Sequence, residues 1–162
     1  MLVPAILYKE ELETAFAKEL YSERYFYCSG YAHSNELPEI GAEDNVYQYA
    51  MIDSQERLVG YLAYRISDAG DCAYNFGLFS FVSGCPIVGK DLFSKMEELV
   101  AKFHRVEWRM IGGNPVQKHY DRFCFKHQGN RVVLHDVCKD NNGNYHDEYI
   151  YEIVKKEGEL FA

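Results

Sequence analysis

The spacing of apolar positions changes repeatedly along the chain, and each change marks the edge of an element. From Tyr8 to Tyr21, Leu12, Ala15, Phe16 and Leu20 fall on one helical face, with Glu10 and Glu11 in the first turn, where the helix dipole favours acids. This is the first expected helix. Between Tyr25 and Ile40 the pattern is weak, and a loop or a short second helix near Ser34 to Ile40 is all it carries. The period then falls to two. Val46 to Asp53, Leu58 to Ile66 and Cys72 to Val82 read as three strands, and the polar breaks between them are short enough to make them consecutive and antiparallel.

After Gly89 the helical period returns. Leu92, Phe93, Met96, Leu99, Val100 and Phe103 share one face, with Lys95, Glu97, Glu98 and Lys102 opposite. Val106 to Ile111 is a further strand, and the strand, helix, strand order makes it parallel to its predecessor through a right-handed crossover. Asn114 is a strong N-cap residue, Pro115 suits the first helical position and Gln117 can complete a capping-box-like pair, so a helix is expected from there to about His127. Arg131 to Lys139, the turn Asp140 to Asn144, and Tyr145 to Val154 close the chain as a hairpin.

Composition narrows the classes. A chain of 162 residues, 48% of them hydrophobic, suits one domain over residues 1–162 with a real core. Fourteen tyrosines and ten phenylalanines argue against disorder and suit half-buried strands and pocket walls. The formal net charge of -8 repels phosphate backbones, so no nucleic-acid partner is expected. No apolar run reaches the roughly 18 to 20 residues that span a bilayer, and no membrane partner is expected. The five cysteines form an odd set without CxxC spacing, which reads as reduced thiols in a cytoplasmic protein.

Cys124, His127, His135 and Cys138 have spacings that would suit zinc. However, His135 and Cys138 fall on an expected strand, where residues three apart face opposite sides, so the geometry is wrong for a metal. His33, His104 and His146 have no partner at a meaningful spacing and read as surface residues. The hairpin residues His135, Asp136, His146, Asp147, Glu148 and Tyr149 read either as alternating polar and apolar faces or as a pocket wall or partner edge.

The element order, an α+β arrangement of antiparallel strands followed by a βαβ crossover, a helix and a hairpin, resembles the GNAT superfamily of acyl-CoA-dependent N-acyltransferases from about Val46 to Val154. Two stretches carry the resemblance. In YNFGLFSFVSGCPIVGKDLFSKM, the resemblance implies that Phe79, Ser80 and Phe81 lie along the pantetheine arm of acetyl-CoA and offer backbone donors to an oxyanion. It also implies that Gly84, Val88, Gly89 and Lys90 bind the pyrophosphate, at a loop and helix start whose unpaired N–H groups favour an anion. Aligned on Gly89, Gly84 stands at the family's Gln/Arg position and Ile87 at its first glycine.

The second stretch is GGNPVQKHYDRFCF, Gly112 to Phe125, which is similar to the family's N-x-x-A-x-x-x-Y-x-x-x-G-F pattern with Tyr120 at the tyrosine. The resemblance implies that Tyr120 protonates the departing thiolate, as a phenol of ordinary pKa about 10 can do. The other reading is a core tyrosine between Val116 and Phe123. No base is evident: Asp71 sits at the start of its strand, Glu107 reads as ion-paired, and His119 points elsewhere around the helix. The expected activity is acetyl transfer to a primary amine of a small molecule or peptide. The alternative is a catalytically weak acyl-CoA-binding or interaction module. The family's members often form homodimers, and a homodimer is carried as an expectation.

Overall fold

The computed structural model describes residues 1–20, 22–27 and 37–156. Strand β1 (Leu2–Pro4) leads through a 3-10 turn (Ala5–Tyr8) into α1 (Lys9–Glu19) and a single turn, α2 (Glu23–Phe26). Three antiparallel strands follow: β2 (Val46–Ile52), β3 (Leu58–Ser67) and β4 (Cys72–Ser80). Then come α3 (Pro86–Lys102), β5 (Arg105–Ile111), α4 (Gln117–Lys126) and the hairpin of β6 (Asn130–Lys139) and β7 (Tyr145–Val154). They form one seven-stranded sheet in the order β1-β2-β3-β4-β5-β7-β6, with β5 parallel to β4 as the crossover requires.

Strand alternation divides the core between the two faces of the sheet. On one, Val88, Leu92, Met96 and Leu99 of α3 and Tyr120, Phe123 and Cys124 of α4 pack against Leu62, Tyr64, Val106, Trp108 and Tyr151. On the other, Leu12 and Phe16 of α1 and Tyr25 of α2 pack against Ala50, Tyr61, Ala63 and Phe79. Gly60 brings α3 close to the sheet: a Cβ there would lie 3.0 Å from the Val88 side chain and 2.9 Å from the Met51 sulfur. The start of α3 is thereby pressed onto β3 and β4.

Several boundaries differ from the sequence expectation. Ser34 to Glu36 of the expected second helix lie outside the described residues, and residues 37–40 are not helical. The short helix that does form, α2, lies earlier, and its cap is Ser22, whose hydroxyl accepts from the Tyr25 amide. α3 begins at Pro86, so Gly89 lies inside the helix rather than in the loop before it. α4 begins at Gln117, later than the Asn114–Pro115 signal suggests. Asn114 Oδ1 accepts from the Val116 amide at 3.0 Å, two residues on, and Asn114 Nδ2 donates to the Tyr27 carbonyl at 2.9 Å, so the residue ties a turn to α2 instead of forming a capping box.

Candidate functional site

The site begins with a defect in the sheet. β4 and β5 pair only at Cys72↔Arg105 and Ala73↔Val106. Just beyond, β4 carries a bulge, with its register against β3 shifting between Ala63 and Arg65 and with Asn75 at φ 53. From there the facing edges of β4 and β5 separate. Backbone groups on a separated edge need new partners, so the gap is lined with donors and acceptors.

Register decides which groups those are. The Phe81 amide donates to the Val59 carbonyl at 3.0 Å, and Phe79 lies opposite Tyr61 in the same alternation. The N–H and C=O of Leu78 and Ser80 therefore point the other way, into the gap. This corrects the backbone expectation: the Phe81 donor is spent on β3 and Phe81 packs against Phe16 and Phe79 on the α1 face, while Leu78, absent from that expectation, joins Ser80.

The gap opens into a cleft of about 920 Å³. Phe79, Ser80, Gly84, Val88, Gly89, Lys90 and Tyr120 all line it, whereas Phe81 is absent among the described lining. One end is the start of α3. Its N-cap, Cys85, provides no side-chain bond, its first turn holds no acid, and Pro86 has no N–H to offer, so the amides of Ile87 and Val88 are the open donors at the positive end of the dipole. Gly84 precedes them at φ 65, a left-handed conformation that glycine adopts without strain. Lys90 and Arg24 add positive charge; Arg24 is held by Glu19 at 2.7 Å and the Phe81 carbonyl at 3.3 Å.

The other end is built from Tyr27, the turn Gly113–Val116, and His119 and Tyr120 of α4. His119 thus shares the cleft with Tyr120 rather than pointing away from it. Tyr120 is 1% exposed, its ring 6.0 Å from Phe93, 5.8 Å from Trp108 and 5.8 Å from Tyr151. The ring is part of the core and also part of the cleft wall. The neighbouring Tyr151 is different: its hydroxyl donates to Asp121 at 2.8 Å, and burial together with that carboxylate raises its pKa above the ordinary phenol value.

Glu23 is the one carboxylate among the described lining residues, and it has no hydrogen bond or ion pair to another described residue. Sequence reasoning missed it because a single-turn helix has no periodic signal. Glu107 lies on the sheet face away from α3, paired with Arg105 at 2.7 Å, and is not among the cleft residues. Cys124 is buried, and desolvation pushes its thiol up to about 11.

No family model matches the sequence, and no curated protein matches it. Solved structures do match the fold. A GCN5-related N-acetyltransferase from Kribbella flavida superposes with a TM-score of 0.68 at 12% identity, covering 96% of this chain and 97% of that one. Another from Brucella melitensis gives 0.62 at 18% identity over 94% of this chain and 74% of its own. The ribosomal-protein-S18-alanine N-acetyltransferase from Escherichia coli gives 0.56 at 11% identity, covering 73% and 75%. The fold of this protein is the GNAT fold.

Proposed function

We propose that the protein transfers an acyl group from an acyl-CoA thioester, with acetyl-CoA the simplest donor, to an amine of a small molecule or peptide. The observation that carries this reading is one continuous cleft that runs from the uncapped start of α3, along β4 beyond its pairing with β5, to Tyr120. An anionic pyrophosphate suits the first end, and an amide-bearing pantetheine arm suits the Ser80 backbone.

The thioester supplies an acyl carbon with a thiolate as leaving group. The acceptor must first lose a proton from its ammonium form, and in this reading Glu23, as a carboxylate of the cleft, takes it directly or through water. The amine nitrogen then bonds to the acyl carbon as the carbonyl opens, and the carbon–sulfur bond breaks when that intermediate collapses. The Ser80 N–H stabilises the transient oxyanion, Tyr120 gives its proton to the departing thiolate, and the phenolate regains a proton from the nitrogen, which must lose its second proton to become the amide. The products are an amide, the free thiol and one proton released to solvent.

Burial of Tyr120 among Phe93, Trp108 and Tyr151 favours a second reading, an acyl-CoA-binding module without turnover. Titration calorimetry with acetyl-CoA and free CoA, followed by a thiol-release assay over a panel of amines, separates the two. Binding with turnover supports the transferase, binding without turnover the module, and no binding of either ligand removes both.

A further inference from the structure

His146 stands at the start of β7 and is not the surface residue its sequence context suggests, its side chain being only 18% exposed. Its Nε2 lies 2.9 Å from Asp140 Oδ2 in the hairpin turn, and its Nδ1 lies 3.4 Å from the Gly112 carbonyl oxygen. A carboxylate and a carbonyl can only accept. A neutral imidazole has one N–H and one lone pair, so one of these contacts would set lone pair against lone pair, whereas the protonated ring donates to both.

The surroundings suit the charged ring. From the hairpin, Asp140 is held at about 2, first by its bond to His146 and then by the Asn144 amide, and Asp147 adds a second carboxylate. From α2 and the residue after it, the rings of Phe26 and Tyr27 lie edge-on at 5.0 and 6.0 Å. From the loop between β5 and α4 comes the Gly112 carbonyl, and the Gly112 amide in turn donates to the Asp147 carbonyl at 2.7 Å. Asn114 completes the link by donating to the Tyr27 carbonyl. Three segments distant in sequence therefore meet on one imidazole.

We propose that His146 is a positioning residue: as an imidazolium it ties the cleft wall formed by Tyr27 and Gly113–Val116 to the C-terminal hairpin, and its deprotonation releases that wall. His146 is not among the described cleft-lining residues, so it acts on the ligand only through that wall. The tie is present while both ring nitrogens carry a proton and is lost when one is removed. This deepens the acyl-CoA reading of the cleft without depending on it for its test.

Amide hydrogen exchange, expressed as protection factors, reads the wall directly. Between about pH 5.5 and pH 8.5, which bracket the imidazole range, protection of the Asn114 and Val116 amides in the wild-type protein should fall about tenfold, as loss of one charge-assisted hydrogen bond gives. His146→Phe keeps a ring against Phe26 and Tyr27 but removes both donors, so it should show low protection at both values. Should that variant fail to fold, Asp140→Asn, which takes the carboxylate away from the ring, should lower protection of the same two amides at about pH 5.5. Equal wild-type protection at the two values, or an unchanged profile in the variant, overturns the proposal. Acetyl-CoA titration at the same two values is the second arm, with wild-type affinity expected to weaken at the higher pH and the variant flat. Absence of binding at both would sink the acyl-CoA reading alone, leaving exchange to decide the latch.

Discussion

The two edges of β5 face opposite fates. Along one, all seven residues pair with β7, from Arg105↔Val154 to Ile111↔Glu148; along the other, β4 pairs at two positions and then departs. The closed seam is reinforced on both faces. Trp108 stacks on Tyr151 at 5.2 Å on the core side, while Arg105 on the outer side bonds Glu107 at 2.7 Å and Glu152 at 2.6 Å. Along the open seam β4 and β5 stop pairing after Ala73↔Val106, and the gap between them is bordered by a helix start and a buried phenol. Complete pairing stabilises; interrupted pairing makes a place for a ligand.

Breaking the closed seam should have the largest effect. Trp108 is 1% exposed and contacts Tyr120, Phe123 and Tyr151, so Trp108→Ala should cost about 3 to 5 kcal/mol in chemical denaturation. A loss under about 1 kcal/mol would mean the seam does not depend on that stack.

Next come the two tyrosines. Tyr120→Phe removes only a hydroxyl on the open side and should lower thiol release about a hundredfold while acetyl-CoA affinity stays near wild type. Full activity in that variant would remove Tyr120 as the acid. Tyr151→Phe, on the closed side, gives up the bond to Asp121, which keeps its 2.8 Å partner Arg131. It should cost about 1 to 2 kcal/mol of stability and leave turnover unaffected. A matching loss of turnover in both variants would erase the distinction between the seams.

How far each seam could be read from sequence follows the same division. β2, β3, the hairpin and α3 declare themselves through long runs of period two or period 3.6. β1 and α2 are three and four residues long, too short for any period to register. The separation of β4 from β5 has no compositional trace, because it depends on the positive φ of one asparagine and the register beyond it. That register also decides that Leu78 and Ser80, rather than Phe79 and Phe81, address the gap. Tyr120 was legible from a motif-like stretch, whereas Glu23 reaches the cleft from a helix far away in sequence. Asn114 shows a local signal diverted: its side chain had a turn and the Tyr27 carbonyl to serve, and α4 starts without it.

The smallest expected effects concern two glycines at the open seam, and they differ in sign. Gly84 holds φ 65, and a Cβ there would meet nothing within 4 Å, so Gly84→Ala is opposed by backbone conformation alone and should cost about 1 kcal/mol. Gly89 lies within α3 at ordinary helical angles, and its added Cβ would also meet nothing within 4 Å. Gly89→Ala should therefore stabilise the protein by about 0.5 to 1 kcal/mol, the gain alanine gives in a helix. Both residues line the cleft, so both substitutions should weaken acetyl-CoA binding despite their opposite effects on folding. Denaturation and calorimetry on the same pair of variants separate the two quantities. If affinity instead follows stability, weaker for Gly84→Ala and stronger for Gly89→Ala, the start of α3 is a structural cap and the anion must be sought elsewhere.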